Sequence, residues 1–161
     1  MPYIDELLSP NDLKRSRLSY QECTERIVED LDMAAALLPA DWDLTETGSA
    51  TEGANRGRAT KGAALAVKAK ALLFAGSPLM NNESTGSGYV YDNALMERAA
   101  EAAHQFFKLV NGGTYALEPM ETYSDNFYKM DGTTIWGDEI IWERTMIWNK
   151  WCYPGWKNQG I

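Results

Sequence analysis

The sequence predicts a mainly all-α single domain with long irregular loops. Three stretches carry that expectation, at about residues 19–38, 60–75 and 92–110. In each, apolar residues return every three or four positions, the period of a helix rather than of a strand. Each is also bounded by residues that start or stop helices.

The first helix opens on Ser19 and Glu22, which have capping-box spacing. The Ser hydroxyl can take the backbone N–H of Glu22 while that carboxylate reaches back to the Ser19 N–H. Ile27, Leu31, Ala34 and Leu38 then recur along one stripe, widened by Val28 and Leu37, and Pro39 ends the run. The second helix is rich in Ala, with Leu65, Val67, Leu72, Leu73 and Phe74 among the small residues. So little polar surface implies packing between other helices, and the small residues permit close approach. Ala69 and Leu72 are expected in that helix–helix contact. Gly76 suits the left-handed C-terminal position, and Pro78 prevents continuation.

The third helix can be capped by Asp92 or Asn93 and shows Leu95, Ala99, Ala102, Phe106 and Leu109 on one face. His104 falls off that face and is expected in solvent. Gly112 and Gly113 supply the stop. A short apolar element at 139–142 is compatible with a helical turn or a strand, because so few residues define no period. The connections 40–59 and 77–91 are long for a compact domain, and loops of that length are usually functional or mobile. The helix pairs suggest a tetratricopeptide-like stack, although their spacing is irregular beside the standard repeat of about 34 residues.

Composition narrows the function. The chain has 161 residues, 45% of them hydrophobic, enough for one domain with a core. Its formal charge of -8 argues against tracking a nucleic-acid backbone, which needs a basic excess. Cys23 and Cys152 lie far apart with no CxxC spacing, and His104 is the single histidine. A zinc site and histidine-based catalysis are therefore not expected, and no metal or other cofactor is assigned. Whether the two cysteines pair does not follow from their spacing. The longest apolar stretch, 63–75, is broken by Lys68 and Lys70 and is too short to span a bilayer. Residues 1–5 show neither the basic start nor the apolar run of a secretory leader.

Four segments share an order with a known family. The first is Ile27-Val28-Glu29-Asp30-Leu31-Asp32-Met33-Ala34 followed by Leu37-Leu38-Pro39. The second is Arg58-Ala59-Thr60-Lys61-Gly62-Ala63-Ala64 continuing into Lys70-Ala71-Leu72-Leu73-Phe74-Ala75-Gly76-Ser77-Pro78. The third is Ala99-Ala100-Glu101-Ala102-Ala103 leading to Gly113-Thr114-Tyr115-Ala116-Leu117. The fourth is Asp138-Glu139-Ile140-Ile141-Trp142-Glu143. In this order they resemble the SusD/RagB family of outer-membrane nutrient-binding lipoproteins, over most of 19–143. The family's lipoprotein cysteine, first helices and C-terminal part have no counterpart here, so the resemblance is to an internal fragment of a larger protein.

The resemblance implies a non-enzymatic role on the extracellular face of the outer membrane. The protein would bind an oligosaccharide, or another nutrient such as a peptide, and deliver it to a SusC-like TonB-dependent transporter. A lipid anchor outside this chain would attach it to the membrane, and nucleic acid would not be a partner.

The residues themselves offer one further pointer. Trp148, Trp151, Tyr153 and Trp156 lie within nine residues, beside Asn149, Lys150 and Asn158. Sugar rings present apolar C–H faces that stack on aromatic rings, and their hydroxyls need amide or charged partners. Trp148, Asn149, Trp151, Tyr153 and Trp156 are therefore the candidate ligand-binding residues. The same rings could instead fill a core or cover a helix edge; at least one is expected to be a ligand platform.

Other constellations are weaker. Glu139 and Glu143, with Asp138, could form a carboxylate pair for glycoside hydrolysis, but a solvated face or a capping role suits them better. Asp125, Asn126, Asp131 and Gly132 lack the alternation of a calcium loop and fit a surface turn. The expected function is thus glycan binding without catalysis, with a helical-repeat interaction scaffold, or a helical glycosidase, as the alternatives.

Overall fold

The computed structural model describes residues 3–4, 6–10, 14–53, 55, 57–81, 89–124 and 137–142. Among these the fold is all-α, with no strand. Helix α1 spans Tyr20–Leu37, α2 spans Lys61–Ala75 and α3 spans Asn93–Asn111, with a 3-10 turn at Ser49–Thr51. Each helix lies within a residue or so of its expected bounds. Ser19 and Glu22 form the full capping box of α1. Thr60 caps α2 by accepting from the Ala63 N–H, and Asp92 caps α3 by accepting from the Leu95 N–H.

Hydrogen bonds at the helix ends give the directions. The Lys61 N–H donates to the Pro39 carbonyl, joining the end of α1 to the start of α2. At the far end the Gln21 amide donates to the Met80 carbonyl. The Asp92 N–H donates to the Gly76 carbonyl, so α3 starts where α2 stops. The three helices therefore run up, down and up. α2 packs against both α1 and α3, the position its sparse polar surface predicts.

The core follows that order. Val28 of α1, Leu72 and Ala75 of α2, and Leu95 and Ala99 of α3 make one buried cluster. Ala35, Ala64 and Leu65 make a second, with Leu31, Leu38, Phe106 and Leu109 packed against it. Leu72 is 0% exposed, and burying such a side chain is worth about 1.5–3 kcal/mol. Ala69 is half-buried. The α3 face is the expected one, with Leu95, Ala99 and Ala102 buried and His104 exposed.

Two expectations need correction. The buried line of α1 runs through Thr24, Val28 and Ala35, while Ile27 is 41% and Leu37 84% exposed. A single helix partner covers only one stripe of α1, and Ile27 and Leu37 lie to the side of it. Gly76 does not adopt the left-handed conformation; its φ is -76°. It serves a close approach instead. A Cβ there would sit 3.2 Å from the Asp92 carbonyl oxygen, Leu95 Cβ and Met96 Cε, where α3 passes close to the end of α2. The left-handed position belongs to Gly113 after α3, with φ +82°.

Charged groups bridge the helices at the surface. The Arg98 guanidinium on α3 donates to both Glu25 carboxylate oxygens on α1, at 2.6 and 2.8 Å. This holds the Glu25 carboxyl below its ordinary range and raises Arg98. Lys68 of α2 pairs with Asp32 of α1. Among the described residues no helix is long and apolar enough to cross a membrane.

Candidate functional site

The loop from α1 to α2 is organised around one amide. Asn55 is 7% exposed. Its side-chain nitrogen donates to the Asp43 carboxylate at 2.6 Å and to the Gly48 and Thr51 carbonyls. Its oxygen accepts from the Thr51 hydroxyl and from Arg58 at 3.0 Å. A buried amide with both ends satisfied anchors a loop whose described regular structure is the short 3-10 turn Ser49–Thr51.

This anchoring fixes Arg58 and Trp42. The Arg58 guanidinium lies 3.8 Å above the Trp42 ring, a cation–π arrangement. The Trp42 indole N–H donates to the Ala59 carbonyl at 2.7 Å. A second indole reaches the same strip of backbone from far along the chain: the Trp142 N–H donates to the Gly57 carbonyl at 3.1 Å. Thus Trp42 and Trp142 are both pinned to the stretch Gly57–Ala59.

Between them lies a cleft of about 160 Å³. Trp42, Trp142, Ile140 and Ile141 supply apolar surface, and Thr60, Tyr115, Arg58, Asp41 and Asp43 supply polar groups. The segment 137–142 is held against the turn after α3. The Ala116 N–H donates to the Asp138 carbonyl at 3.1 Å, and the Glu118 N–H donates to the Glu139 carboxylate at 3.2 Å. Residues 139–142 are neither helix nor strand but a turn followed by irregular chain.

The sequence-derived candidates distribute unevenly. Trp148, Asn149, Trp151, Tyr153 and Trp156 lie outside the described residues, as do Glu143, Cys152, Asp125, Asn126, Asp131 and Gly132. The Glu139 carboxylate accepts from the Glu118 backbone N–H. Among the described residues, no group of three His, Cys, Asp or Glu side chains converges as a metal site would require. Sequence reasoning passed over Trp42 and gave Arg58 and Trp142 only a place in a motif. The available signal was the polar loop 40–59, which carries one Trp between Asp41 and Asp43 and two Arg, at 56 and 58.

No family model matches the sequence, and no curated protein does. Among solved structures, the chain is similar to BT4246, a Bacteroides protein, with 28% sequence identity and a TM-score of 0.57. The similarity covers 78% of this chain but only 23% of BT4246, so the chain spans under a quarter of that protein's length.

Proposed function

We propose that the chain is part of a SusD/RagB-type surface protein that captures glycans without catalysis. It would pass the captured oligosaccharide to a TonB-dependent transporter in the outer membrane, attached there through a lipid anchor outside this chain. The observation that carries the reading is the order of four family-like segments, together with their mutual contacts. The first two meet at the hydrogen bond from Lys61 to Pro39. The second and third meet where Tyr115 bonds Thr60. The third and fourth meet where Ala116 bonds Asp138. Four segments that resemble one family and also build one continuous structure support common descent more than four Ala-rich matches would alone. The likeness to BT4246 is consistent with this.

The proposed ligand contacts are Trp148, Asn149, Trp151, Tyr153 and Trp156, on the chemistry of clustered rings beside amides and lysines. Retention of the full-length protein on an immobilised-glycan panel tests the reading. Retention of a partner protein in place of any glycan would favour the helical scaffold. Reducing-end release would favour the glycosidase.

A further inference from the structure

We propose that the cleft between Trp42 and Trp142 is a subsite for a single neutral sugar ring; this rests on the glycan-capture reading above. Size sets the first limit. A space of about 160 Å³ is well below the roughly 300 Å³ at which drug-sized ligands begin to fit. It suits one ring or the end of a chain rather than an oligosaccharide lying along its length.

Ring presentation sets the second limit. Trp142 is 58% exposed although its N–H is tied to the Gly57 carbonyl. A tethered edge with an open face is a platform whose orientation is decided before a ligand arrives, which lowers the ordering cost of binding. The C–H face of a pyranose is the apolar surface such a platform can cover.

Charge sets the third. Arg58 uses one nitrogen on Asn55, and its other N–H groups have no partner among the described residues. Asp41 stands in the same cleft, where the neighbouring Asp43 carboxylate already accepts from the Asn55 amide and the Gly53 N–H. Acceptors and donors of opposite charge at one rim give an ionic ligand little net attraction, and the chain's charge of -8 disfavours an anion further. Hydroxyl groups donate and accept at once, so a neutral polyol satisfies both partners.

The test is fluorine NMR of the full-length protein carrying fluorinated tryptophan, titrated with methyl glycosides of glucose, galactose, mannose and N-acetylglucosamine. Each line is assigned by a single Trp→Phe variant. The Trp42 and Trp142 lines should shift saturably with at least one glycoside. Trp142→Ala should weaken that binding roughly tenfold, the scale of one lost aromatic contact. Asp41→Asn should also weaken it; this change keeps the oxygen that accepts from the Asp43 N–H and so leaves the loop intact. If only the lines of Trp148, Trp151 or Trp156 move, glycan capture stands and the cleft is not a subsite. If no line moves with any glycoside, both readings fall. If adenosine, added as a planar control, shifts the Trp42 and Trp142 lines and no glycoside does, the sugar assignment is overturned.

Discussion

The Tyr115 ring lies directly on Gly62, and its hydroxyl shares a 3.0 Å hydrogen bond with the Thr60 hydroxyl that caps α2. A Cβ at Gly62 would run into that ring. Tyr115 also packs against Phe106 of α3, with ring centroids 5.2 Å apart. One side chain therefore joins the start of α2 to the end of α3. Gly62→Ala should cost about 1–3 kcal/mol, the usual penalty of overpacking. Tyr115→Phe keeps the ring and should cost only about 0.5–1.5 kcal/mol, the worth of one hydrogen bond. Urea midpoints of the two variants check the order; equal stability of Gly62→Ala and the parent would mean that Tyr115 does not sit there.

Leu72 is the centre of the three-helix core, in contact with side chains of both neighbouring helices. Leu72→Ala should lower stability by about 2–5 kcal/mol, because the removed atoms leave a cavity that rigid helices cannot close. The exposed Leu73, 53% accessible one position further on, should tolerate the same change with less than half that loss. Thermal melts of the pair give the comparison.

The Glu25–Arg98 bridge has a defined pH signature. The bonded guanidinium lowers the Glu25 carboxyl from its ordinary value near 4.5, against a smaller opposing effect of burial. The folded state thus keeps this charge to lower pH than the unfolded chain does. Its contribution is complete above the unfolded value and is lost as the pH falls through the folded one. Both side chains are more than 40% exposed, so solvent screening limits the contribution to under about 1 kcal/mol. Arg98→Met should flatten the acid limb of the stability curve below about pH 5 and leave its slope between pH 6 and 8 unchanged. An unaltered acid limb would place the bridge outside the folding equilibrium.

Asn55 should behave as a keystone of the α1–α2 loop. Asn55→Ala removes one donor from the Asp43 carboxylate and from the Gly48 and Thr51 carbonyls, and one acceptor from Arg58, and a loss of about 1–3 kcal/mol is expected. Near-ultraviolet circular dichroism should change with it, since Arg58 and Trp42 lose their support. A parent-like spectrum would show that the loop is held elsewhere.

For the proposed ligand segment, Trp148→Ala, Trp151→Ala and Trp156→Ala should weaken retention on a glycan column while the helical spectrum persists. Unfolding of the variants would mean that these rings are core. No polysaccharide should release reducing ends on incubation with the protein. Turnover abolished by Glu139→Gln or Glu143→Gln would overturn the non-enzymatic reading.

Much of the helical framework is local in origin and was legible in the residues. The Ser19–Glu22 box, the Asp92 cap and the period of Leu95, Ala99 and Ala102 act within one or two turns, and the helices begin and end where those signals stand. The position of α2 between two partners could also be read, because a helix with so little polar surface has to be covered on more than one side.

Distance along the chain set the limit of that reading. Ile27 and Leu37 match the helical period as well as Val28 does, and only the placement of α2 decides which stripe is buried. Gly76 looked like a conformational residue and Gly62 only like part of a motif, yet both serve close approach, to α3 and to Tyr115. The cleft depends on Trp42 and Trp142, one hundred positions apart, meeting at the backbone of Gly57–Ala59. Local sequence determined which segments became helices, since caps and periodicity act over neighbouring residues. The tertiary structure alone decided which faces are covered and which side chains share a cleft, because those are contacts between segments that no spacing along the chain encodes.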